Sequence, residues 1–409
     1  MTLPSFLNWI DEERDQMIGT VRTWSHVNSG SFHLAGLEKM ATLLAEAFSA
    51  TGGDVQLLPS DQMPKISEKG EKQHQETGKI LKISMRPDAN RRVLLCGHMD
   101  TVFPETSPFQ ECTDLGDGRL KGPGVADMKG GLMVILTALR AFEKSSHHTQ
   151  IGWDVIINAD EEIGSFGSRK ILTDHAKNAD LGLVYEPALA DGTLAGARKG
   201  SGNFSLIVKG KAAHAGRDHH LGRNAIASLA HAITQLDRLT AGRPDLTVNV
   251  GHISGGGALN VVPDLAICRL NVRIKAPEDQ TWFLNQVKSI ETELNNKDGI
   301  TAEFHGEFTR PPKPMTKPLE QVFDLLKSCG SDLGIEISQK PTGGCCDGNN
   351  LAAAGLPNID TLGVRGANIH SDQEYMIMDS LTERAKLTAL LLHKLASGEA
   401  SFPERGTVQ

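Results

Sequence analysis

The sequence predicts an α/β protein with a mainly parallel sheet flanked by helices, interrupted by an inserted α+β domain of ferredoxin-like order. Three observations predict this fold. Short apolar runs, which suit strands buried on both faces, alternate with amphipathic helical segments before Lys199. After Lys199 the pattern changes to strands and two helices in the order β-α-β-β-α-β. Helix, strand and helix then return after the proline-rich RPPKPMTKP, which marks a boundary.

The first elements are predicted in order. The chain through about residue 60 is expected to be helical, and LEKMATLLAEAFSATGG is amphipathic and ends on Gly52 and Gly53. The polar DQMPKISEKGEKQHQETGK is expected to be an exposed loop or hairpin of little functional weight. RRVLLCGHMD contains a buried strand, and ADMKGGLMVILTALRAFEK forms the helix after it, with Asp127 near its start.

The remaining elements complete two domains. WDVIINADEE and LGLVYEP are two more buried strands, with the helix ILTDHAKNAD between them. The inserted domain has strands in NFSLIVKGKAAHA, TVNVGHISGGGALNVVPDLAICRLNVRIK and ITAEFHGEFTR, and helices in NAIASLAHAITQLDRL and DQTWFLNQVKSIETELNN. We therefore predict a discontinuous outer domain, residues 1–197 and 311–409, around an inserted domain, residues 198–310.

Composition narrows the class of protein. The 409 residues are 39% hydrophobic and carry a net charge of −8, which argues against a nucleic-acid partner. No apolar run of about 18 residues suggests a membrane span, and the first residues have no signal-peptide pattern. Six cysteines without CxxC spacing favour free thiols in a reducing compartment. We expect a cytoplasmic enzyme without membrane contact.

Acidic and imidazole side chains stand where the predicted strands end. They are His98 and Asp100, then Asp160, Glu161 and Glu162, then Glu186, with Asp127 opening a helix and His370 after the last strand. Ligands in open α/β sheets bind outside the carboxyl ends of strands, so these motifs should converge on one rim. Histidine and carboxylate ligands suit zinc, and two ions that share a carboxylate could use all of them. Two cations also remove the repulsion among adjacent carboxylates.

Six motifs carry a resemblance: GHMDTVFP, GPGVADMKGG, ADEEIGSFGS, VYEP, GKAAHAG and IHSD. Together they resemble the di-zinc metallopeptidase family of glutamate carboxypeptidase, aminoacylase and acetylornithine deacetylase, with the closest likeness to glutamate carboxypeptidase. The likeness runs from Arg91 to the C-terminal helix. It implies a zinc-exopeptidase-like fold, two Zn²⁺ per subunit, with Co²⁺ or Mn²⁺ also suited to such ligands, and a small peptide or N-acyl amino acid as substrate.

The resemblance also implies the ligand set. One zinc would be bound by His98 and Glu186, the other by Glu162 and His370, and both by the bridging Asp127.

Two further roles follow from the same resemblance. Asp100 would orient the imidazole of His98 as a hydrogen-bond partner. Glu161 would be the general base that takes a proton from the water shared by the zincs and passes it to the leaving amine. The peptide bond between Asp127 and Met128 is expected to be cis, as is common in this family.

The resemblance makes the inserted domain a lid and dimerisation domain, so a homodimer through the lid is expected. His214 would reach the active site of the partner subunit and stabilise the oxyanion. Asn260 would lie near the substrate. Arg273 and Arg310 would be associated with the substrate carboxylate, which suits a bidentate guanidinium.

The glycine-rich loop near residue 345 both supports and departs from the resemblance. Gly343 and Gly344 match a loop whose backbone amides meet the substrate's α-carboxylate. Cys345 and Cys346 stand where the related enzymes have glycine and threonine, so the role of the two cysteines and the preference for glutamate stay open.

The sequence thus favours a metal-dependent hydrolase that cleaves the amide bond to a C-terminal amino acid, as a glutamate-type carboxypeptidase does. One alternative is an N-acyl-amino-acid deacylase resembling acetylornithine deacetylase or aminoacylase. A second alternative, from another class, is a catalytically dead binding protein of the same fold.

Overall fold

A computed structural model describes residues 3–406. Its α-helices are α1 (Phe6–Glu12), α2 (Arg14–Ser25), α3 (Leu34–Ser49), α4 (Gly130–Phe142), α5 (Arg169–Lys177), α6 (Ala225–Arg238), α7 (Pro277–Asn295), α8 (Lys317–Leu333), α9 (Asp347–Ala353) and α10 (Ser380–Ser397). Its strands are β1 (Asp54–Leu58), β2 (Met63–Ile66), β3 (Lys72–Gln75), β4 (Ile80–Met85), β5 (Arg92–His98), β6 (Thr113–Asp114), β7 (Arg119–Lys121), β8 (Gly152–Asn158), β9 (Leu181–Val184), β10 (Ala188–Leu189), β11 (Leu194–Arg198), β12 (Gly200–Lys209), β13 (Thr247–Gly255), β14 (Leu265–Ile274), β15 (Thr301–Arg310), β16 (Gln339–Thr342), β17 (Asn358–Ile359), β18 (Arg365–Ala367) and β19 (Tyr375–Ile377).

The largest sheet has the strand order β1-β4-β8-β5-β9-β17. Strands β8, β5, β9 and β17 are parallel neighbours, and β4 and β1 continue the sheet in antiparallel pairing. The prediction of a mainly parallel sheet is therefore confirmed. Its parallel strands end at one rim, and this rim carries the residues of the candidate site.

Helices cover both faces of this sheet. Helices α4 and α10 pack against each other on one face, and α5 and α9 pack on the other. Successive residues of β5 point to opposite faces: Val93 and Leu95 join the first core, and Leu94 and Cys96 join the second. Burial on both faces explains why this strand is a continuous apolar run.

The inserted part has the predicted order of elements, β12-α6-β13-β14-α7-β15, and a sheet of order β13-β14-β12-β15 with antiparallel pairing throughout. Helices α6 and α7 share with this sheet a core distinct from those of the large sheet. The ring of Phe204 lies at its centre, 5.3 Å from Phe283 and 5.2 Å from Phe308. We call this part the lid. The predicted limits 1–197, 198–310 and 311–409 stay a prediction.

Two local predictions differ from the structure, and one sheet was not predicted. Asp127 does not open a helix, because α4 begins at Gly130 and Asp127 lies in a non-helical loop before it. The N-terminal helical region gives way to strand β1 at Asp54. A second sheet of order β10-β18-β19-β7-β6 was not predicted, because strands of two or three residues are too short to show an alternating pattern. The polar stretch forms the hairpin β2–β3, one of the two predicted forms.

Within residues 3–406, every helix is too short or too polar to cross a bilayer.

Asp154 connects β8 to neighbouring elements of the large sheet. Its carboxylate accepts a hydrogen bond from the Ser84 hydroxyl at 2.5 Å and lies 2.8 Å from Arg92 Nη2 and 3.2 Å from His175 Nδ1. Burial alone would raise the pKa of Asp154, but the hydrogen bonds from His175, Ser84 and Arg92 outweigh it and lower that pKa. The ionised carboxylate is therefore the form that stabilises the fold.

Replacing Asp154 with asparagine is expected to lower the free energy of unfolding by about 3 kcal/mol at pH 7, because Arg92, whose side chain is only 11% exposed, loses its charge partner. The folded pKa lies below the unfolded value of about 3.9, so the stabilisation is complete above about pH 5 and is lost as the pH falls. Denaturant unfolding should show the difference shrink by about 0.7 kcal/mol between pH 7 and pH 3.5. The exposed Asp88→Asn is the control, and a pH-independent difference for Asp154→Asn would contradict the assignment.

Candidate active site

His98 is the last residue of β5 and its ring is buried at the rim of the sheet. Its Nδ1 lies 3.0 Å from the carbonyl oxygen of Asp100 and 3.4 Å from Oδ1 of the same residue, so Nδ1 carries the proton and Nε2 is the free ligand atom. The Asp100 carboxylate also accepts the backbone N–H groups of Glu161 and Glu162, both at 3.2 Å, and the Ser31 hydroxyl at 2.7 Å. Asp100 thus fixes both the imidazole and the turn that carries the two glutamates.

Asp127 lies in the loop before α4, and its peptide bond to Met128 is cis, as predicted. The buried Glu374 carboxylate accepts three backbone hydrogen bonds from this loop. The donors are the N–H groups of Gly124 at 3.1 Å, Ala126 at 2.9 Å and Asp127 at 3.0 Å. These bonds satisfy backbone groups that have no helical partner, and they hold the Asp127 side chain at the rim.

The three consecutive acids after β8 have different surroundings. Asp160 accepts hydrogen bonds from the N–H of Gly167 at 2.6 Å and from the Ser168 hydroxyl at 2.6 Å, so it closes the loop over residues 160–168. Burial raises the pKa of Asp160 to about 6. Glu161 and Glu162 lie at the rim, and their backbone N–H groups donate to the Asp100 carboxylate.

The ligand candidates form two groups that share Asp127. In the first, His98 Nε2 lies 3.1 Å from Asp127 Oδ1 and 3.8 Å from Glu186 Oε2. In the second, His370 Nε2 lies 3.3 Å from Asp127 Oδ2 and 3.2 Å from Glu162 Oε2. Ligands bonded to one tetrahedral zinc at about 2.0–2.2 Å lie about 3.4 Å apart, so the spacing in each group suits one ion.

Burial and charge also fit cations at both positions. Burial, together with the charge of Asp127, raises the pKa of Glu162 to about 7. Burial likewise raises the pKa of Glu186, whose Oε1 is buried without a hydrogen-bond partner among residues 3–406. Carboxylates this crowded are costly to keep ionised unless cations neutralise them. Two imidazole nitrogens and several carboxylate oxygens suit zinc, cobalt or manganese.

Glu161 lies within reach of the first group, next to His98 and Glu186. It also has a cationic partner of its own: Arg310 Nη2 donates to Glu161 Oε1 at 2.6 Å and to its carbonyl oxygen at 2.9 Å. Burial raises the pKa of Glu161 well above its usual value, although the guanidinium opposes the shift. A buried carboxylate beside the first group, held by a guanidinium, is placed to accept and return a proton. The structure thus places Arg310 against Glu161, and its predicted contact with substrate stays a prediction.

A cavity of about 510 Å³ lies between these groups and the underside of the lid sheet. Arg273 of β14 lines it; Nε donates to Asn271 Oδ1 at 2.9 Å, and Nη1 lies 2.9 Å from Cys345 Sγ. Gly344 lines the same wall, and its N–H donates to the Thr342 hydroxyl at 3.3 Å. The wall opposite the acidic groups therefore presents a guanidinium.

His214 and Asn260 lie side by side on the exposed surface of the lid, where the Ala215 N–H donates to the Asn260 carbonyl at 2.9 Å. Neither side chain lines the cavity of its own chain, and Gly343 also lies outside the lining. The single chain therefore brings together only part of the predicted set: His98, Asp100, Asp127, Glu161, Glu162, Glu186, Arg273, Arg310, Gly344 and His370.

Two residues at the site were not predicted from the sequence. Glu374 precedes a three-residue strand, and an acid in a polar segment is typical of an exposed loop. Arg198 ends β11 and lines the cavity, with Nε 2.8 Å from Asp360 Oδ1. Lys313 Nζ lies 2.8 Å from the other Asp360 oxygen. The motif ARKG gives no sign of this burial, which depends on an aspartate more than a hundred residues away.

Glu374→Ala is expected to weaken metal binding by about 10- to 100-fold, because it releases the backbone that positions Asp127. Competition against a chelating dye measures the metal affinity directly. Glu374→Gln should fall between the wild type and the alanine variant, since it keeps one acceptor oxygen and places an amide against an N–H donor. Unchanged affinity in the alanine variant would show that Glu374 does not position Asp127.

Two groups of candidate cation ligands share Asp127 at the carboxyl rim of a mainly parallel sheet, and the buried Glu161 lies beside them. This arrangement is that of a metal-dependent hydrolase. The model of the peptidase family M20/M25/M40 matches residues 94–394, and the chain belongs to this family. The resemblance stated from the six motifs is thereby confirmed.

The chain is similar to proteins with different activities. It is 30% identical over 321 residues to carboxypeptidase G2 of Pseudomonas sp. (strain RS-16), covering 76% of this chain and 75% of the relative. It is 29% identical over 328 residues to succinyl-diaminopimelate desuccinylase of Nitrosospira multiformis (strain ATCC 25196 / NCIMB 11849 / C 71), covering 74% and 83%. In fold it matches an M20 family metallo-carboxypeptidase of Sulfolobus solfataricus with a TM-score of 0.72 and 17% identity, over 94% of this chain and 100% of that one.

Proposed function

We propose that the protein hydrolyses the amide bond between an acyl or peptidyl group and a C-terminal amino acid of glutamate type, with two zinc ions in the paired groups. The observation that carries the proposal is a cavity with the metal ligands and Glu161 on one wall and Arg273 on the other. A cytoplasmic location stays part of the same proposal.

The residues of the chain divide the chemistry among them. Zinc ions bound in the two groups would activate a water molecule and polarise the scissile carbonyl. Glu161, which lies next to the first group, accepts the proton of that water and returns it to the leaving amine. Arg310 holds the Glu161 carboxylate in place at 2.6 Å. Asp100 fixes the tautomer of His98 through Nδ1.

Recognition of the leaving amino acid is assigned to Arg273. Its Nε is bonded to Asn271, which orients the guanidinium, and its side chain lines the cavity. A planar guanidinium pairs with a carboxylate through two parallel hydrogen bonds, which fixes the direction of the substrate across the cavity. The name of one relative, carboxypeptidase G2, agrees with release of a C-terminal residue.

The relative named succinyl-diaminopimelate desuccinylase favours a second candidate, an N-acyl-amino-acid deacylase. Both candidates use the same metal groups and the same base, so they differ only in the acyl and amine parts of the substrate. A catalytically dead binding protein is disfavoured, because the base and every predicted ligand are present at the rim.

The test is a panel of substrates with the zinc-loaded enzyme: an N-acylglutamate, a dipeptide ending in glutamate, N-acetylornithine and N-succinyl-diaminopimelate. We expect the highest kcat/KM for a compound that releases glutamate, and Arg273→Ala should lower this value by about 10- to 100-fold through the loss of a charged hydrogen-bond pair. Preference for N-acetylornithine or the succinyl compound would favour the deacylase, and no turnover on the whole panel would contradict both.

We also propose a homodimer in which His214 and Asn260 of one subunit complete the active site of the other. In support, both side chains are exposed on the lid beside Leu259, whose exposure is complete at 101%. Val261 is exposed two residues further on, and neighbouring exposed apolar side chains rimmed by polar groups mark interaction surfaces. Light scattering that finds a fully active monomer would contradict this arrangement.

A further inference from the structure

The hairpin β2–β3 links the loop after Glu162 to the lid. At the base of the hairpin, the Asp61 N–H donates to the Gly167 carbonyl at 3.1 Å. This hydrogen bond attaches the hairpin to the loop that follows Glu161 and Glu162. At its other end, Arg269 of β14 donates to the Ile66 carbonyl at 3.1 Å and lies 2.8 Å from Glu68. The hairpin therefore forms a wall beside the active site.

The tip of the hairpin packs on the lid sheet. Gly70 lies so close that a Cβ added to it would meet Ile207 Cγ2 at 3.0 Å and Leu265 Cδ1 at 3.5 Å. Ile207 and its register partner Ile267 are buried there, although they lie on the side of the sheet opposite α6 and α7. The tip thus closes the far end of the space under the lid.

The face of the lid sheet opposite α6 and α7, its underside, changes from polar to apolar along the central strands β12 and β14. The register pairs Ser201 with Arg273, next to the Cys345 loop, and then Asn203 with Asn271. The pair Ser205 and Arg269 follows, and Ile207 with Ile267 ends the row under the hairpin tip. Along these strands the row therefore runs from the Arg273 guanidinium, through two polar pairs, to the apolar pair Ile207 and Ile267.

A groove of about 770 Å³ lies along the part of this row formed by Asn203, Ser205, Arg269 and Asn271. Polar and charged residues such as Lys65, Lys72 and Arg269 form part of its lining. Apolar residues from three parts of the chain form the rest: Phe32, Met63, Ile66, Ile163 and Phe166. Phe32 is 55% exposed, although phenylalanine side chains are usually buried.

The groove is continuous with the catalytic cavity, because Ile163, Asn203 and Asn271 line both. Ile163 directly follows Glu162, so the groove opens beside the reacting groups. A substrate whose carboxylate lies at Arg273 and whose scissile carbonyl lies at Glu161 would extend its acyl side into this groove.

We propose that this groove is the acyl-binding site and that it selects substrates with a bulky apolar acyl group, aliphatic or aromatic. This inference rests on the proposed amide hydrolysis and adds the chemistry of the acyl side. Transfer of such a group from water onto the exposed Phe32 and the half-buried apolar side chains beside it supplies the binding free energy. A hairpin with no metal ligand or base on it thereby acquires a role in specificity.

The test compares acetyl-, octanoyl- and benzoylglutamate on the zinc-loaded enzyme. We expect kcat/KM for the octanoyl compound to exceed that for the acetyl compound by at least about 10²-fold, because six more methylenes are buried. The benzoyl arm shows whether an aromatic ring serves as well as an alkyl chain; either preference over acetyl supports the groove. Equal values for all three compounds would overturn the inference and leave the proposed hydrolysis standing.

Variants locate the effect. Phe32→Ala and Met63→Ser should each reduce the octanoyl-to-acetyl ratio by about 5- to 20-fold, as expected for the loss of several buried carbon contacts. Leu115→Ser, which removes a 40% exposed apolar side chain outside the groove, is the matched control and should leave the ratio unchanged. Ratios that do not respond to the two groove variants would also overturn the inference.

A binding measurement separates this failure from failure of the proposed function. Calorimetry with the Glu161→Gln variant measures the affinity for octanoylglutamate without turnover. Affinity that depends on Phe32 in the absence of any cleavage by the wild type would retain the groove and reject the proposed reaction. Affinity equal for acetyl and octanoyl compounds would reject the groove whatever the activity.

Discussion

Glu161→Gln is expected to lower kcat by about 10²- to 10⁴-fold while the protein still binds two metal ions. Glutamine keeps the length of the side chain and an oxygen that can accept the Arg310 hydrogen bond. It has no basicity near neutral pH, so the proton of the attacking water has no acceptor. Steady-state kinetics and metal analysis of the same preparation measure both quantities.

The metal content distinguishes the base from a ligand. Glu161 lies close enough to His98 and Glu186 to coordinate an ion in the first group. If it were a ligand, the variant would lose metal and activity together. Retained metal with lost turnover assigns the proton transfer to Glu161, and wild-type kcat would reject that role. The exposed Glu320→Gln controls for the loss of a negative charge elsewhere on the surface.

A thermal melt of this variant adds a check on folding. Arg310 is buried, with a side chain 8% exposed, and Glu161 is its closest carboxylate. Asp347 lies 3.6 Å away and remains as a second partner for the guanidinium. We therefore expect a modest fall in Tm, too small to explain a hundredfold loss of turnover at 25 °C.

The parts of the fold that the sequence predicted are those with a local pattern. Val93 to Cys96 is a continuous apolar run because helices cover both faces of its sheet. Any strand that is buried on both faces has such a run, so the sequence alone identifies it. The metal-ligand candidates follow from topology in the same way. Strands that run parallel deliver His98, Glu161 and Glu186 to one rim, whatever the details of packing.

The parts that the sequence did not predict depend on contacts between distant segments. Glu374 follows His370 in a polar stretch, and only the return of the chain beside the Asp127 loop makes it buried. The guanidinium of Arg198 is directed by Asp360, which lies on another element. Neither contact leaves a periodic signal, because a single charged residue in a short segment looks the same whether it is exposed or paired.

The hairpin shows the same limit on a larger scale. Its composition is polar, so little function was expected of it. Its position, with Gly70 against Ile207 and its base against Gly167, is set by the lid and by the loop after β8. The role of such a segment depends on the residues that lie opposite it in the fold, and these cannot be read from the segment's own sequence.

Asp127→Asn is expected to reduce bound metal from two ions per chain to one or fewer and to lower kcat by at least about 10³-fold, because both cation groups share this carboxylate. The backbone N–H of residue 127 still donates to Glu374 in the variant, so the loop should keep its position. Metal analysis after dialysis against a known free zinc concentration measures the occupancy.

Chelation supplies the complementary measurement. An ion held at about 1,000 times its Kd stabilises the folded state by about 4 kcal/mol, so a chelator should lower the Tm of the wild type markedly. The Asp127→Asn protein, with little metal to lose, should show almost no shift on the same treatment. An equal fall in Tm in both proteins would mean that ions bind without Asp127. The two groups at the rim would then be rejected as the metal site that supports stability and activity.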